Sequence, residues 1–203
     1  MSLPPKDLAR DELSLVPRTS VSMPEFNPEA RRLLLAVAHD AINSAFDHRQ
    51  IDLTPPLPEL QAPRGVFTTL YLHGSLRGCV GYVIPVMPLY RMVAETAKAA
   101  AFEDTRFTPI SREEALELEV SLSILSPLLE ISADEVEVGR HGLLISQDTR
   151  RGLLLPQVPI EHGWNRVTFL EQTCKKAGLP PDAWKSGARI EAFTAEVFGY
   201  QKL

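Results

Sequence analysis

The residues best suited to chemistry lie in one glycine-bracketed stretch, RGCVG at residues 77–81. Cys79 carries a thiol, and Arg77 places a guanidinium two residues before it. If this strand is extended, alternation puts both side chains on one face, where a cation favours the reactive thiolate. Gly78 and Gly81 mark a bulge, or a place where another backbone or a ligand comes close. The pattern predicts that Cys79 is catalytic. Arg77 and the two glycines would then contact the substrate.

An inert Cys79 is the alternative. A free cysteine in a strand often serves as a small buried hydrophobe, and apolar burial leaves the thiol unreactive. The two glycines could then simply build a bulge. The residues by themselves leave both interpretations open.

Nucleophilic catalysis by Cys79 needs a base, and His141 is the best candidate. It lies between Gly139 and Gly142, just before an apolar run, in a loop setting where catalytic residues are common. A capping or turn role for His141 is an equal alternative. His73 is nearer in sequence, but the tip of the predicted hairpin should be distant from a mid-strand cysteine.

A second polar and aromatic group follows Pro156. Its members are Glu161, His162 and Trp164, and Gln157 lies just before them. The group could line a pocket or seat the helix that follows. Gln157 and Trp164 are predicted substrate contacts.

Several common kinds of site are missing from the sequence. It contains no CxxC, no HExxH and no helical histidine pair, so neither a metal nor a cofactor is expected. The spacing of Gly74, Gly78 and Gly81 fits neither a phosphate-binding loop nor a dinucleotide fingerprint. Residues 77–83 faintly echo a strand of an RNA-recognition motif, with shifted spacing and without the first stacking aromatic. A net charge of −5 without blocks of like charge also disfavours nucleic acid as a general partner.

The composition is typical of a soluble globular protein. The 203 residues are 44% hydrophobic and 23% charged, which fits one domain, with or without a smaller lobe. Two cysteines far apart do not form a disulfide scaffold, and reduced thiols suit a cytosol. The N-terminus mixes prolines with acids where a signal peptide needs an apolar run, and no stretch is long enough to span a membrane. These features predict a cytoplasmic protein.

The order of elements predicts an α+β fold with antiparallel sheet. Residues 1–25 are expected to form an arm, and residues 26–203 the folded domain. Asn27 looks like the N-cap of a first helix. The apolar runs at residues 65–72 and 76–84 are separated by a short glycine-containing connection, which predicts a β-hairpin.

The second half of the chain repeats this mixture of elements. The turn at residues 148–152 and the run at 153–158 predict a second hairpin. Cys174 lies on the apolar stripe of a helix that ends at Gly178, so it is expected in the core. Residues 189–198 read as one final strand.

The chain resembles the AMMECR domain family in sequences spread over most of its length. LRGCVG at residues 76–81 looks like the family signature LRGCIG, with Val80 where isoleucine is usual. The other similar segments are GVF (65–67), DTRF (104–107), EVS (119–121), HGL (141–143), GLLLPQV (152–158), Trp164, FL (169–170) and CKKAGL (174–179). A second departure is Thr105, where the family usually has proline. The similarity covers roughly residues 26–200.

The resemblance implies an α+β fold with a larger and a smaller lobe, both built on antiparallel sheet, and with the signature near the cleft between them. Similar prokaryotic proteins belong to the AmmeMemoRadiSam system, which implies a Memo-like protein and a radical SAM enzyme as partners. The family's activity is not established, although nucleobase or RNA modification has been inferred for it. The chain lacks the clustered cysteines of an iron–sulfur site, so radical chemistry would belong to the partner.

The sequence therefore predicts two alternative functions. The first is an enzyme or enzyme component that acts on a small molecule or nucleobase, with Cys79 as nucleophile or covalent carrier. Arg77 would activate the thiol or hold an anion, and His141 would exchange protons. The alternative is a non-catalytic binding module that docks onto the partner enzymes, for which Arg77 would matter more than the sulfur.

Overall fold

The computed structural model describes residues 25–201. The predicted N-terminal arm therefore lies outside the described residues, apart from Glu25. The helices are α1 (Pro28–Asp47), α2 (Leu89–Phe102), α3 (Arg112–Glu117), α4 (Gln157–Glu161) and α5 (Arg166–Lys176). The strands are β1 (Val66–Leu72), β2 (Ser75–Tyr82), β3 (Glu119–Leu125), β4 (Leu129–Glu130), β5 (Gly142–Gln147), β6 (Arg150–Leu154), β7 (Arg189–Phe193) and β8 (Ala195–Gly199).

These strands form two antiparallel sheets, which confirms the predicted α+β class. The first sheet has the order β2-β1-β3-β8, and the second has the order β4-β7-β5-β6. Each sheet carries its own hydrophobic core. The family resemblance implies two lobes with a cleft between them, and this arrangement stays a prediction for this chain.

Helices α1 and α2 pack on one face of the first sheet. Alternate residues of β1, Val66, Thr68 and Leu70, are fully buried on this face, and the Thr68 hydroxyl contacts the Thr96 hydroxyl of α2 at 2.7 Å. Small side chains let α2 lie close to the strands, because alanine adds little bulk to a helix surface. The residues between them on β1 point to the opposite side, which we call the outer face.

The second core lies between the second sheet and α5. Leu143 and Ile145 of β5 pack with Phe169 and Leu170 of α5. Cys174 is fully buried in the same cluster, which confirms its predicted place in the core. Burial raises the pKa of the Cys174 thiol.

The hairpin β1–β2 is where it was predicted. Its turn residues, His73 and Gly74, have φ values of 49° and 75°, and two such left-handed residues match the right-handed twist of the strands they join. The register is not regular along its length. Leu70 pairs with Gly78 and Tyr71 pairs with Leu76, so the intervening Arg77 forms a bulge.

The final strand prediction was wrong in one respect, because residues 189–198 form two strands in different sheets. The chain leaves the second sheet after Phe193 and enters the first at Ala195. Thr194 lies at this crossing and exchanges hydrogen bonds with Ser126, where the chain first passes between the sheets. Ser126 N–H donates to the Thr194 carbonyl at 2.9 Å, and Thr194 N–H donates to Ser126 Oγ at 3.0 Å.

The second predicted hairpin is present, but it is shifted along the chain. Asp148 has a φ of 54°, so the turn is complete by Thr149 and β6 already begins at Arg150. The strand ends at Leu154, and the residues after Pro156 form the short helix α4 instead of more strand. Gln157 is thus the exposed first residue of a helix.

Candidate functional site

The thiol of Cys79 is half-buried on the outer face of the first sheet. Cys79 pairs directly with Thr69 of β1. The Thr69 hydroxyl donates a hydrogen bond to Cys79 Sγ, with 3.3 Å between oxygen and sulfur. The sulfur therefore has a polar neighbour on the outer face of the sheet.

The backbone of Cys79 is held from outside the sheet, because β2 is an edge strand. The Cys79 N–H donates to Asp104 Oδ2 at 2.8 Å, and the Cys79 carbonyl accepts from Arg106 Nη2 at 3.3 Å. Together, the carboxylate and the guanidinium occupy the polar groups that a neighbouring strand would otherwise bind. The segment after α2 therefore fixes the position of Cys79.

Asp104 and Arg106 form a tightly bonded pair. Asp104 Oδ2 accepts from Arg106 Nη2 at 2.7 Å, and Oδ1 accepts from Arg106 Nε at 2.9 Å. The Asp104 side chain is only 6% exposed, whereas that of Arg106 is 58% exposed. The hydrogen bonds from the Arg106 side chain, followed by those from the Cys79 and Arg106 backbone, hold the pKa of Asp104 far below its usual range. The pKa of Arg106 is raised, mainly by Asp104 and to a lesser extent by the Cys79 sulfur.

The Arg77 side chain does not lie beside the Cys79 side chain, although strict alternation predicted one face for both. Its guanidinium donates to Glu114 Oε1 at 2.9 Å and Oε2 at 3.0 Å, and to the Thr108 carbonyl at 2.8 Å. The cause is the bulge, because an extra residue breaks the period of two on which the argument rested. Arg77 ties β2 to the start of α3, and this bond lowers the pKa of Glu114. The guanidinium that contacts Cys79 belongs to Arg106.

The two signature glycines are explained by packing within the protein. A Cβ on Gly78 would lie 2.1 Å from the Ala100 carbonyl oxygen of α2, and a Cβ on Gly81 would lie 2.4 Å from the Phe67 ring. Both distances are far shorter than real contacts. The close approaches predicted at these glycines are thus made by a helix backbone and an aromatic ring. Substrate contact by Gly78 and Gly81 stays a prediction.

His141 belongs to the second sheet, immediately before β5. Its Nδ1 accepts a hydrogen bond from the Glu137 N–H at 3.1 Å. Burial lowers the pKa of His141, while Glu137 and Glu135 act in the opposite direction. The hydrogen bonds within residues 25–201 do not join His141 to Cys79, so their catalytic pairing stays a prediction.

Gln157 and Trp164 also lie with the second sheet. Trp164 is half-buried against the second core, and its ring stacks on His162 with a centroid distance of 4.7 Å. This contact supports the interpretation that the group seats α5, since α5 begins two residues later. Substrate contact by Gln157 or Trp164 stays a prediction.

Three residues of the site were not singled out from the sequence: Thr69, Asp104 and Arg106. Asp104 and Arg106 lie more than twenty residues from Cys79 along the chain. Their only signal was the DTRF segment, which belongs to the family resemblance.

Three further features of residues 25–201 concern metal binding, membrane spanning and an open groove. No group of three or more His, Cys, Asp or Glu residues within 25–201 is arranged to hold a metal ion. None of the helices in this range has the length and apolarity that a membrane span requires. An open groove of about 400 Å³ lies between α1 and β8, at the sheet edge opposite β2; Arg31 in its wall is ion-paired with Glu196.

The fold and site define an α+β protein with two antiparallel sheets and a cysteine on a hairpin edge strand. The AMMECR1 family model matches residues 35–198, and the chain belongs to this family. It is 40% identical over 177 residues to a protein of Aquifex aeolicus, covering 82% of this chain and 91% of that protein. A Methanococcus aeolicus protein is 44% identical over 161 residues, covering 74% of this chain and 80% of its own length.

A solved structure has the same fold. The crystal structure of the uncharacterized protein PH0010 from Pyrococcus horikoshii matches with a TM-score of 0.68 and 37% sequence identity. The match covers 83% of this chain and 90% of PH0010. The resemblance predicted from LRGCVG and its companion segments is confirmed.

Proposed function

We propose that the protein is an enzyme, or a component of one, that uses Cys79 to modify a small molecule or nucleobase. One observation carries the proposal: a half-exposed thiol accepts a hydrogen bond from Thr69 while Asp104 fixes a guanidinium beside it. Reactive cysteines are partly exposed and often lie next to an arginine, lysine or histidine, whereas structural cysteines are buried in apolar surroundings.

The chemistry would be nucleophilic. The Cys79 thiol gives its proton to a base and its sulfur bonds to an electrophilic, double-bonded carbon of the substrate, while the π electron pair moves to the neighbouring atom, which takes up a proton. Thr69 and Arg106 position Cys79 for this attack. Since no base is bonded to Cys79 within the described residues, His141 takes this role only if the second sheet brings it near in the working complex. Memo-like and radical SAM partners would form that complex, and the need for a reduced thiol fits a cytoplasmic location.

Replacing the sulfur tests this function directly. The protein is incubated with a small-molecule extract of its host and then measured by intact-mass spectrometry under denaturing conditions. We expect a mass adduct on the wild-type chain and on the control Cys174→Ala, and none on Cys79→Ser. An adduct that persists in Cys79→Ser would contradict a covalent role for this residue.

A docking module is the second candidate, and an exposed apolar segment favours it. At the end of β2 and just after it, Tyr82, Ile84 and Val86 are 51%, 46% and 74% exposed. Clustered apolar exposure of this kind commonly marks a protein contact surface. The proposed occupants are the Memo-like and radical SAM proteins that the family resemblance implies as partners.

Co-purification with those two proteins tests the docking candidate. We expect Val86→Glu to abolish capture, and Leu116→Glu, on the exposed side of α3 and 81% exposed, to leave it unchanged. Failure of the wild-type protein to capture either partner would remove the candidate.

A further inference from the structure

Three small polar side chains form a row across the outer face of the first sheet. Cys79 pairs with Thr69, and Thr69 pairs with Ser121 of β3. Directly paired residues project to the same face of a sheet. The Cα atoms of Cys79 and Ser121 are therefore about 10 Å apart, which is two strand spacings, and Thr69 lies between them.

Ser121 gives the first sign that this row has a ligand. Ser121 is only 7% exposed. Its hydroxyl forms no hydrogen bond with any side chain or backbone group in residues 25–201. The Ser121 hydroxyl oxygen is not among the buried side-chain atoms that lack a partner, so it is open to solvent on the outer face. A ligand in the row would take the place of water at this hydroxyl.

Arg106 gives the second sign, at the other end of the row. Its Nε and Nη2 are used by Asp104 and the Cys79 carbonyl. Its Nη1 has no acceptor among the described residues, although the guanidinium is held in place. A fixed guanidinium with a remaining donor is well suited to a carboxylate or phosphate oxygen.

Aromatic residues flank the row on both sides along β1. Phe67 and Tyr71 lie two residues before and after Thr69, so they share its face. The Phe67 ring covers Gly81, and the Tyr71 ring packs against Tyr200 with a centroid distance of 4.9 Å. Along β1, the row is therefore bounded by an aromatic ring on each side.

We propose that this donor row, Arg106–Cys79–Thr69–Ser121, binds a small organic anion. Its carboxylate or phosphate would lie at Arg106, its reactive carbon over Cys79, and a hydrogen-bond acceptor at Ser121. This inference rests on the proposed thiol function and adds the substrate class to it.

Two alkylating reagents of nearly equal size separate the charge effect from thiol reactivity. Iodoacetate is an anion and iodoacetamide is neutral, and with each one the sulfur–carbon bond forms as iodide leaves. We expect the ratio of the Cys79 rate constants, iodoacetate to iodoacetamide, to be about fivefold higher in the native protein than in the unfolded chain. A ratio equal to that of the unfolded chain would overturn the inference, while a slow reaction with iodoacetamide itself would instead overturn the proposed function.

Arg106→Gln should return this ratio to the value of the unfolded chain. Arg112→Gln is the matched control, because Arg112 is also ion-paired to an aspartate and 57% exposed. We expect the control to keep the wild-type ratio. An equal loss in both variants would mean a general charge effect and would contradict an anion position at Arg106.

Protection experiments test the far end of the row. Inorganic phosphate, succinate, adipate and suberate are each titrated against iodoacetamide labelling of Cys79. We expect phosphate to protect through Arg106, and the longer dicarboxylates to protect better than succinate because they reach Ser121. Ser121→Ala should remove the dependence on length while phosphate protection remains. Equal protection by all dicarboxylates, or no effect of Ser121→Ala, would overturn the assignment of Ser121.

Discussion

Gly78→Ala is expected to lower the free energy of unfolding by about 3 kcal/mol, at the upper end for overpacking a well-filled interior. The added methyl carbon would lie 2.1 Å from the Ala100 carbonyl oxygen. That oxygen belongs to the backbone of α2, so no side-chain rotation can move it aside. The strand and the helix must separate, and buried contact between them is lost.

Urea unfolding followed by circular dichroism measures this change. Ser75→Ala is a suitable control, because Ser75 is exposed on the same strand and surface substitutions usually change stability by less than about 0.5 kcal/mol. If Gly78→Ala were no more destabilising than this control, α2 would not lie on Gly78 as described.

Asp104→Asn is expected to lower the free energy of unfolding by about 2 kcal/mol near neutral pH, the usual range for buried hydrogen bonds to a charged group. The asparagine keeps the shape of the side chain. It loses the charge that holds Arg106, and its amide nitrogen cannot accept the Cys79 or Arg106 donors. The edge of β2 is then held less firmly at Cys79.

The effect of Asp104→Asn should depend on pH with a definite sign. The pKa of Asp104 is lower in the folded protein than in the unfolded chain, where it is about 3.9. The stability contributed by the carboxylate is therefore complete above about pH 5 and is lost as the pH falls below the unfolded value. The difference between wild type and Asp104→Asn should shrink through this acid range.

Asp182→Asn is the control for the pH series, since the Asp182 side chain forms no capping hydrogen bond. Its difference from wild type should stay small at every pH. A constant difference for Asp104→Asn down to about pH 2.5 would contradict the lowered pKa of Asp104.

Local sequence signals were sufficient for the elements that form locally. Ser111 and Glu114 have the Ser-x-x-Glu spacing that is typical of a capping box, and both reciprocal hydrogen bonds are present at the start of α3. Asn27 caps α1, as predicted, by accepting from the Ala30 N–H at 2.9 Å. Such contacts span three residues, so the sequence spacing determines them directly.

Which residues surround Cys79 could not be predicted from local sequence signals. A period of two predicts one face for Arg77 and Cys79, but a bulge changes that face without any change in the hydrophobic pattern. Arg106 reaches Cys79 only because α2 returns the chain to the edge of β2. Residues 189–198 look continuous because the passage from one sheet to the other needs no turn residue.

The most direct test of a reactive Cys79 compares the two cysteines within one molecule. The native protein is labelled with iodoacetamide, and each site is followed by peptide mass spectrometry. Cys79 is half-exposed and Cys174 fully buried, so we expect Cys79 to be labelled in the folded protein and Cys174 only after unfolding. If both cysteines stayed unlabelled until the protein unfolded, Cys79 would be a core residue, and the docking module would replace the thiol enzyme as the better account.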